Sequence, residues 1–290
     1  MVYIVMDLEW NSVYAMKIRG YINEIIEIGA VMLDGQLREL SHFSVLVRSR
    51  IGTRLQNHVR EMTHLSREEL IMDGLPFSQA VGQFKSWIGG RDHVLLTWGD
   101  GDIRVLLSNT RYLTGSQRLD YLRNYVDLQQ YFHHRKQFSR AQQVGLAAAG
   151  ETLGLNRSDY ALHRALDDSR FAAECFRRIY SEEDFGRFVR PCDPAFFAEL
   201  EYKPRVISDI RHPLVDAAKL YYNCRACGQP ARRMTDWRFA SRGFQAVFYC
   251  ERCGQYVKAM ICFKKLYNSI EIRRSARVLQ ETPAELEGKY

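Results

Sequence analysis

The feature that most constrains the fold is the opening run Met1-Val2-Tyr3-Ile4-Val5-Met6, which ends in Asp7-Leu8-Glu9. An apolar, partly β-branched run of this length predicts a buried strand. Side chains alternate along a strand, so Asp7 and Glu9 leave it on the same face. Two carboxylates that close repel unless a proton or a cation lies between them. The pattern admits two readings: a strand whose last acids are hydrated, or half of a divalent-metal site of the kind used in phosphate chemistry. Further acids and a base elsewhere in the chain would decide between them.

The chain has 290 residues, enough for one good-sized domain and a smaller one, and its 46% hydrophobic and 26% charged residues predict an ordinary soluble protein. The opening run lacks a basic leader and is interrupted by Asp7, so it does not read as a signal peptide. With no apolar stretch long enough to span a bilayer, the expected location is cytoplasmic, without membrane partners.

After the first strand, 10–20 reads as a loop. A strand over 24–33, the hairpin signal Asp34-Gly35 and a return strand over 41–47 follow. Glu24 and Glu27 are three apart, which predicts opposite faces of their strand and a structural role. The pattern turns helical from 56 to 88 and stops at Gly89-Gly90. A buried strand over 93–98 leads into Gly99-Asp100-Gly101-Asp102 and a helix over 103–109. Either aspartate there serves as a helix cap or as a site acid. Helices are expected to begin in 125–131 and at Gly145, with a polar turn at 156–159.

The last informative stretch of this half is His163-Arg164-Ala165-Leu166-Asp167-Asp168. Helical periodicity puts Asp168 on the face of Ala165, Ala172, Cys175, Phe176 and Ile179, and Asp167 on the charged face with Arg170, Glu174, Arg177 and Arg178. A carboxylate turned toward a core is costly without a partner such as a metal ion. His163, one turn earlier, can lean over the same place.

With Asp7-Leu8-Glu9, Thr97-Trp98-Gly99-Asp100-Gly101-Asp102 and His163-Arg164-Ala165-Leu166-Asp167-Asp168 together, the first 180 or so residues resemble the DEDDh (DnaQ-like) 3′-to-5′ exonucleases. Glu27-Ile28-Gly29-Ala30-Val31 and the form of the middle motif look most like the enhanced-RNAi-type, KapD-like branch. The resemblance implies an α/β fold with an RNase H-like mixed sheet flanked by helices. It implies Asp7, Glu9, Asp102 and Asp168 as ligands of two Mg²⁺ or Mn²⁺ ions, with His163 as general base. The implied activity is 3′-to-5′ exoribonuclease hydrolysis releasing nucleoside 5′-monophosphates. A DNA exonuclease of repair or proofreading is the nearest alternative, and a non-catalytic RNA-binding adapter is a more distant one.

Four of the seven cysteines form two Cys-x-x-Cys-Gly turns, Cys224/Cys227 and Cys250/Cys253, which resemble the knuckles of a zinc ribbon holding one structural Zn²⁺. Cys175, Cys192 and Cys262 read as packing residues. The expected organisation is an exonuclease domain over 1–183, a proline-punctuated connector over 184–220, a ribbon over 221–265 and a loosely ordered tail over 266–290, with a short strand at 270–272. The ribbon segment carries nine Lys and Arg against two acids, equal to the net +7 of the whole chain. Interleaved with aromatics, this charge predicts an RNA-binding surface for a single-stranded 3′ end or structured RNA, with Trp237, Arg238 and Arg242 as contacts. A protein partner or a second copy of the chain held through the ribbon is the competing use of that surface.

Overall fold

The structure is a computed structural model, described for residues 1–116, 119–138, 144–156 and 163–280. The expected polar turn lies outside the described residues beyond Asn156, as does the tail past 280. The chain divides into two compact units, Met1–Leu200 and Glu201–Tyr290. The expected connector, 184–220, is thereby shared between them.

The first unit is built on a long hairpin. Strand β1 (Val2–Ala15) pairs antiparallel with β2 (Gly20–Leu33), which pairs with β3 (Glu39–Leu46). The loop expected at 10–20 is mostly strand; only Met16–Ile18 and Arg19, with φ 49°, make the turn. Cross-strand pairing carries the polar residues Asn11 and Ser12 along, which local composition does not register.

Three helices follow in place of the broad helical region: α1 (Asn57–Thr63), α2 (Arg67–Met72) and α3 (Phe77–Ile88). Strand β4 (His93–Thr97) then lies parallel to β1, and α4 (Gly101–Thr114) leaves from its end. Residues Asn124–Asp127 form β5, parallel to β4, where a helix was expected; Asp127 then caps α5 (Leu128–Arg135) by accepting from the Gln130 N–H at 2.9 Å. Four buried or half-buried residues are too short a window for periodicity to separate strand from helix.

Helices α6 (Leu146–Thr152), α7 (Ala165–Ile179) and α8 (Glu182–Phe185) come next, then β6 (Arg190–Pro191), antiparallel to β5, and α9 (Pro194–Glu201). The sheet order is β3-β2-β1-β4-β5-β6, a mixed sheet of RNase H-like type. One face carries Ile4, Met6 and Leu8 against Phe77 and Phe84 of α3 and Ile103 of α4; Phe196 and Phe197 of α9 join the same core. The other carries Tyr3, Val5, Val31 and Leu33 against Tyr131 and Phe132 of α5 and Phe176 of α7. Burial on both faces explains why β1 and β2 read as continuous apolar runs.

Gly29 fixes the seat of α7. A Cβ at Gly29 would lie 2.1 Å from the Ala165 carbonyl carbon and 2.2 Å from the Leu166 nitrogen, and Ser169 Oγ donates to the Gly29 carbonyl at 3.0 Å. The conflict is with backbone, which cannot swing aside. Gly29→Ala is expected to destabilise the first unit by about 3 kcal/mol, at the upper end of overpacking costs, and to lower activity by moving α7. Urea unfolding with a midpoint equal to that of the parent chain would show that α7 has room to shift.

The second unit is an antiparallel sheet. Its strands are β7 (Arg205–Val206), β8 (Arg232–Arg233), β9 (Arg238–Ala240), β10 (Gly243–Cys250), β11 (Gln255–Lys265) and β12 (Ile270–Val278). The main order is β12-β11-β10-β8, with β7 on β11 and β9 on β10. Strand β12 runs six residues beyond the expected stop at Ile272, because its backbone pairs with β11 from Lys265 to Val257 whatever its polar side chains are. Two small apolar clusters form the core, one around Tyr222 and Phe248 and one around Phe244, Ile261 and Phe263. Among the described residues of both units, no helix is long and apolar enough to cross a membrane.

Candidate active site and metal centres

Asp7 and Glu9 project from the β1 face that α7 covers, and α7 brings Asp168 to them. Carboxylate oxygens of Asp7, Glu9 and Asp168 all lie within 4.8 Å of one another. Asp102 arrives by another route. The parallel ladder between β1 and β4 ends at Val5 and Leu96, and α4 starts just beyond it. Asp102, 5% exposed, there accepts the Leu8 backbone N–H at 3.0 Å, between the two acids of β1. Asp100 instead turns outward to Arg104 at 2.7 Å. The geometry thus separates the two aspartates that spacing left open. Gly99, with φ 83°, makes the bend, and the Tyr125 hydroxyl donates to its carbonyl at 2.9 Å.

His163 stands at the entry to α7 with a left-handed backbone, φ 79°, and its N–H donates to the Asp168 carboxylate at 3.2 Å. A non-glycine residue held there costs about 1–3 kcal/mol, and such strain concentrates at functional sites. Arg164, the next residue, forms a two-pronged ion pair with Glu27, at 2.9 and 3.0 Å, and the Ala165 N–H donates to the same carboxylate. Glu27 is almost wholly buried and lies opposite Glu9 in the β1–β2 register. This pair clamps the α7 entry to β2, so that both elements of the site share one anchor. Sequence reasoning missed it.

The opposite faces expected for Glu24 and Glu27 are overturned by a bulge. The register slips between Glu9 and Trp10: Glu9 faces Glu27, but Trp10 faces Ile25. One extra residue, Ile26, restores Glu24 to the face of Glu27, where a regular strand would oppose them. Both are buried. Glu24 accepts from Ser49 Oγ at 2.6 Å and from the Ile51 and Gly52 N–H groups, which orders the loop after β3.

The acids perturb one another. Burial first, then Asp102, Asp168 and Glu9, push the Asp7 pKa well above its usual range. Burial, then Asp168 and Glu27, raise Glu9 to about 8. Burial also raises Asp102 to about 7, although the Leu8 N–H works in the opposite direction. Such a cluster needs protons or cations, and an all-oxygen donor set suits Mg²⁺ or Mn²⁺.

A stability test follows directly. An acid with a raised pKa keeps its proton longer folded than unfolded, so the fold loses stability as pH rises from about 4 towards 8. Protein freed of Mg²⁺ and Mn²⁺ is expected to melt several degrees lower at pH 8 than at pH 6, and added Mn²⁺ to reverse this at pH 8. The difference should shrink in Asp7→Asn. A flat or rising melting temperature would mean that protein cations already balance the cluster.

In the second unit, Cys224, Cys227, Cys250 and Cys253 converge with all four Sγ atoms within 4.8 Å. Cys224 and Cys253 are 3.8 Å apart, and Cys227 and Cys250 3.5 Å. Four sulfurs bonded to a tetrahedral Zn²⁺ at about 2.3 Å would lie about 3.8 Å apart, so the set fits that ion. Gly228 and Gly254, with φ 74° and 63°, close the two knuckles, each donating its N–H to the first cysteine's carbonyl at 2.8 Å. Backbone N–H groups of Cys227 and Ala226 lower the Cys224 thiol to about 7, while a hydrogen bond with Cys227 first, then burial, raise Cys253 to about 12. Crowded thiols of this kind need a cation to ionise together.

The three expected RNA contacts part company. Arg238 and Arg242 are exposed on the β9–β10 hairpin. Trp237 instead packs against both apolar clusters, 5.6 Å from the Phe248 ring, with its indole N–H buried and without a hydrogen-bond partner. It belongs to the core, because this small unit needs its area more than a flat surface does.

A sequence model of the exonuclease (RNase_T) family matches residues 4–176. No curated protein matches the chain. Among solved structures, a 3′-exonuclease described in 3′-end-specific recognition of the histone mRNA stem–loop is 22% identical, with a TM-score of 0.54 over 66% of this chain and 84% of that one. The nuclease domain of 3′hExo, a DEDDh family member bound to rAMP, is 20% identical, with a TM-score of 0.54 over 66% and 96%. Cell-death related nuclease 4 is 16% identical, with a TM-score of 0.51 over 66% and 65%. These structures share the fold.

Proposed function

Because the chain belongs to the exonuclease family and is a hydrolase of the 3′-to-5′ exonuclease class, we propose that it trims RNA from the 3′ end, with Asp7, Glu9, Asp102 and Asp168 as metal ligands and His163 as general base. The observation that carries the site is the convergence of Asp7, Glu9 and Asp168 within 4.8 Å, on two elements far apart in sequence. Two bound Mg²⁺ or Mn²⁺ ions would supply Lewis acidity and neutralise charge on the reacting phosphodiester. His163 would take the proton of the attacking water, its backbone fixed at the entry to α7 by the left-handed turn and the N–H bond to Asp168. Glu27 and Arg164 act as positioning residues. The product is a nucleoside 5′-monophosphate.

The charge of the second unit supports a nucleic acid as the substrate. Residues 201–280 carry sixteen Lys and Arg against six acids, and a Zn²⁺ with four thiolates would leave most of that excess. The structural relative that recognises a histone mRNA stem–loop agrees with this reading. The zinc site, the KapD-like branch and a cytoplasmic location belong to the same proposal. Matched RNA and DNA strands, 3′-labelled or 3′-blocked, should be incubated with Mg²⁺, with Mn²⁺ or with neither. The expected result is metal-dependent release of 5′-monophosphates from unblocked RNA, with DNA slower. Equal rates on both would remove the RNA assignment, and cleavage of blocked strands would remove the exonucleolytic one.

A further inference from the structure

A groove of about 230 Å³ runs along the second unit between residues 221–225 and the β11–β12 pair. One wall is Tyr221, 46% exposed, with the Arg274 guanidinium 5.1 Å from its ring centre. Arg274 is held there by donating to the Lys219 carbonyl at 3.0 Å, and Arg225, fully at the surface, reaches the Arg274 carbonyl. Asn223 and Met260 line the rest, one a hydrogen-bonding amide and the other a polarisable apolar side chain.

We infer that this groove is a nucleotide subsite of the second unit, in which one base of a single strand stacks on Tyr221 beside Arg274 while Arg225 meets the adjoining phosphate. Size selects the occupant: the volume falls below the roughly 300 Å³ at which drug-sized sites begin, which suits one planar ring with the strand passing outside. Charge selects it again. Residues 221–280 carry twelve Lys and Arg against three acids, which favours a polyanion over an ordinary protein surface. A preordered ring with a guanidinium against it is how proteins bind unpaired bases without reading their sequence. The groove also lies beside the first knuckle, since Tyr222 is a core residue and Cys224 a thiol of the cysteine cluster, so its wall is rigid. With Trp237 in the core, Tyr221 takes the stacking role that sequence had given the tryptophan.

The inference rests on the nucleic-acid reading of the second unit, and the test separates the two. Binding of a short labelled single-stranded RNA is measured by anisotropy in the full chain carrying Asp168→Asn, at several salt concentrations. Tyr221→Ala should weaken binding about tenfold or more, Tyr221→Phe should not, and Arg225→Ala should flatten the salt slope by about one. Circular dichroism and zinc content confirm that each variant is folded. Unchanged binding in Tyr221→Ala overturns the subsite. So does an equal loss for heparin, which has no bases and would mark a general polyanion surface. Hydrolysis of a small phosphodiester by otherwise parental chains reads the first unit alone. Tyr221-dependent binding in a chain that hydrolyses nothing would keep the groove and remove the nuclease reading.

Discussion

Replacing Asp168 by asparagine is expected to reduce 3′-end hydrolysis to the background rate while the chain stays folded. The side chain keeps its shape, and an amide oxygen can still accept the His163 N–H. What it loses is the charge that joins Asp7 and Glu9 around a cation. Removing a like charge from a repelling cluster should also raise the melting temperature of metal-free protein at pH 8, since Asp168 is among the causes that raise Asp7, Glu9 and Asp102. Loss of activity with a gain in stability distinguishes a site acid from a structural one. Asp168→Asn protein that degrades RNA normally in Mg²⁺ would refute the assignment. His163→Ala, in the same assay, should lower turnover about 10²–10⁴-fold, the range for loss of a general base, with Mn²⁺ affinity largely kept.

Loss of the zinc proposed for the four-cysteine cluster should have the largest effect on structure. The second unit has two small apolar clusters, around Tyr222 and Phe244, and a unit of this size rarely holds together by its core alone. Structural zinc binding contributes about 10–16 kcal/mol of folding free energy in comparable motifs, as much as a typical domain's whole stability of about 5–15 kcal/mol. Cys250→Ser should therefore unfold residues 201–280 and leave the first unit intact. Limited proteolysis should yield a stable fragment ending near Leu200, which still hydrolyses a small phosphodiester. RNA affinity and its salt dependence should fall with the second unit. A purified chain without zinc, whose near-ultraviolet spectrum is unchanged by Cys250→Ser, would remove the metal from the account.

Much of the nuclease half was legible because its signals are local. Asp7 and Glu9 need only the two-residue period of a strand, and Asp168 only the helical period that separates it from Asp167. The cysteine knuckles are likewise four-residue turns. Other features depend on partners far away in the chain. The choice between Asp100 and Asp102 rests on the Leu8 N–H, some ninety residues earlier, left available where the β4 ladder stops. The Glu27–Arg164 clamp joins residues 137 apart in the chain, and the one-residue bulge that turns Glu24 to the same face is announced by no composition. Trp237 lies against the core and Tyr221 at the surface because exposure in a small unit is decided by which ring its core can accommodate.

By itself, then, the sequence singled out Asp7, Glu9, Asp168 and the four cysteines through a periodicity or a spacing of a few residues, and its resemblance to a family implied the mixed α/β class and His163 as a candidate base. Only the tertiary structure decided how Asp7 and Glu9 are met. Gly29 lets α7 rest on the backbone opposite Asp7, and Glu27, opposite Glu9, holds Arg164 at the entry to α7. Both are contacts between segments more than a hundred residues apart, and local side-chain patterns carry no information about which distant backbone will lie against them.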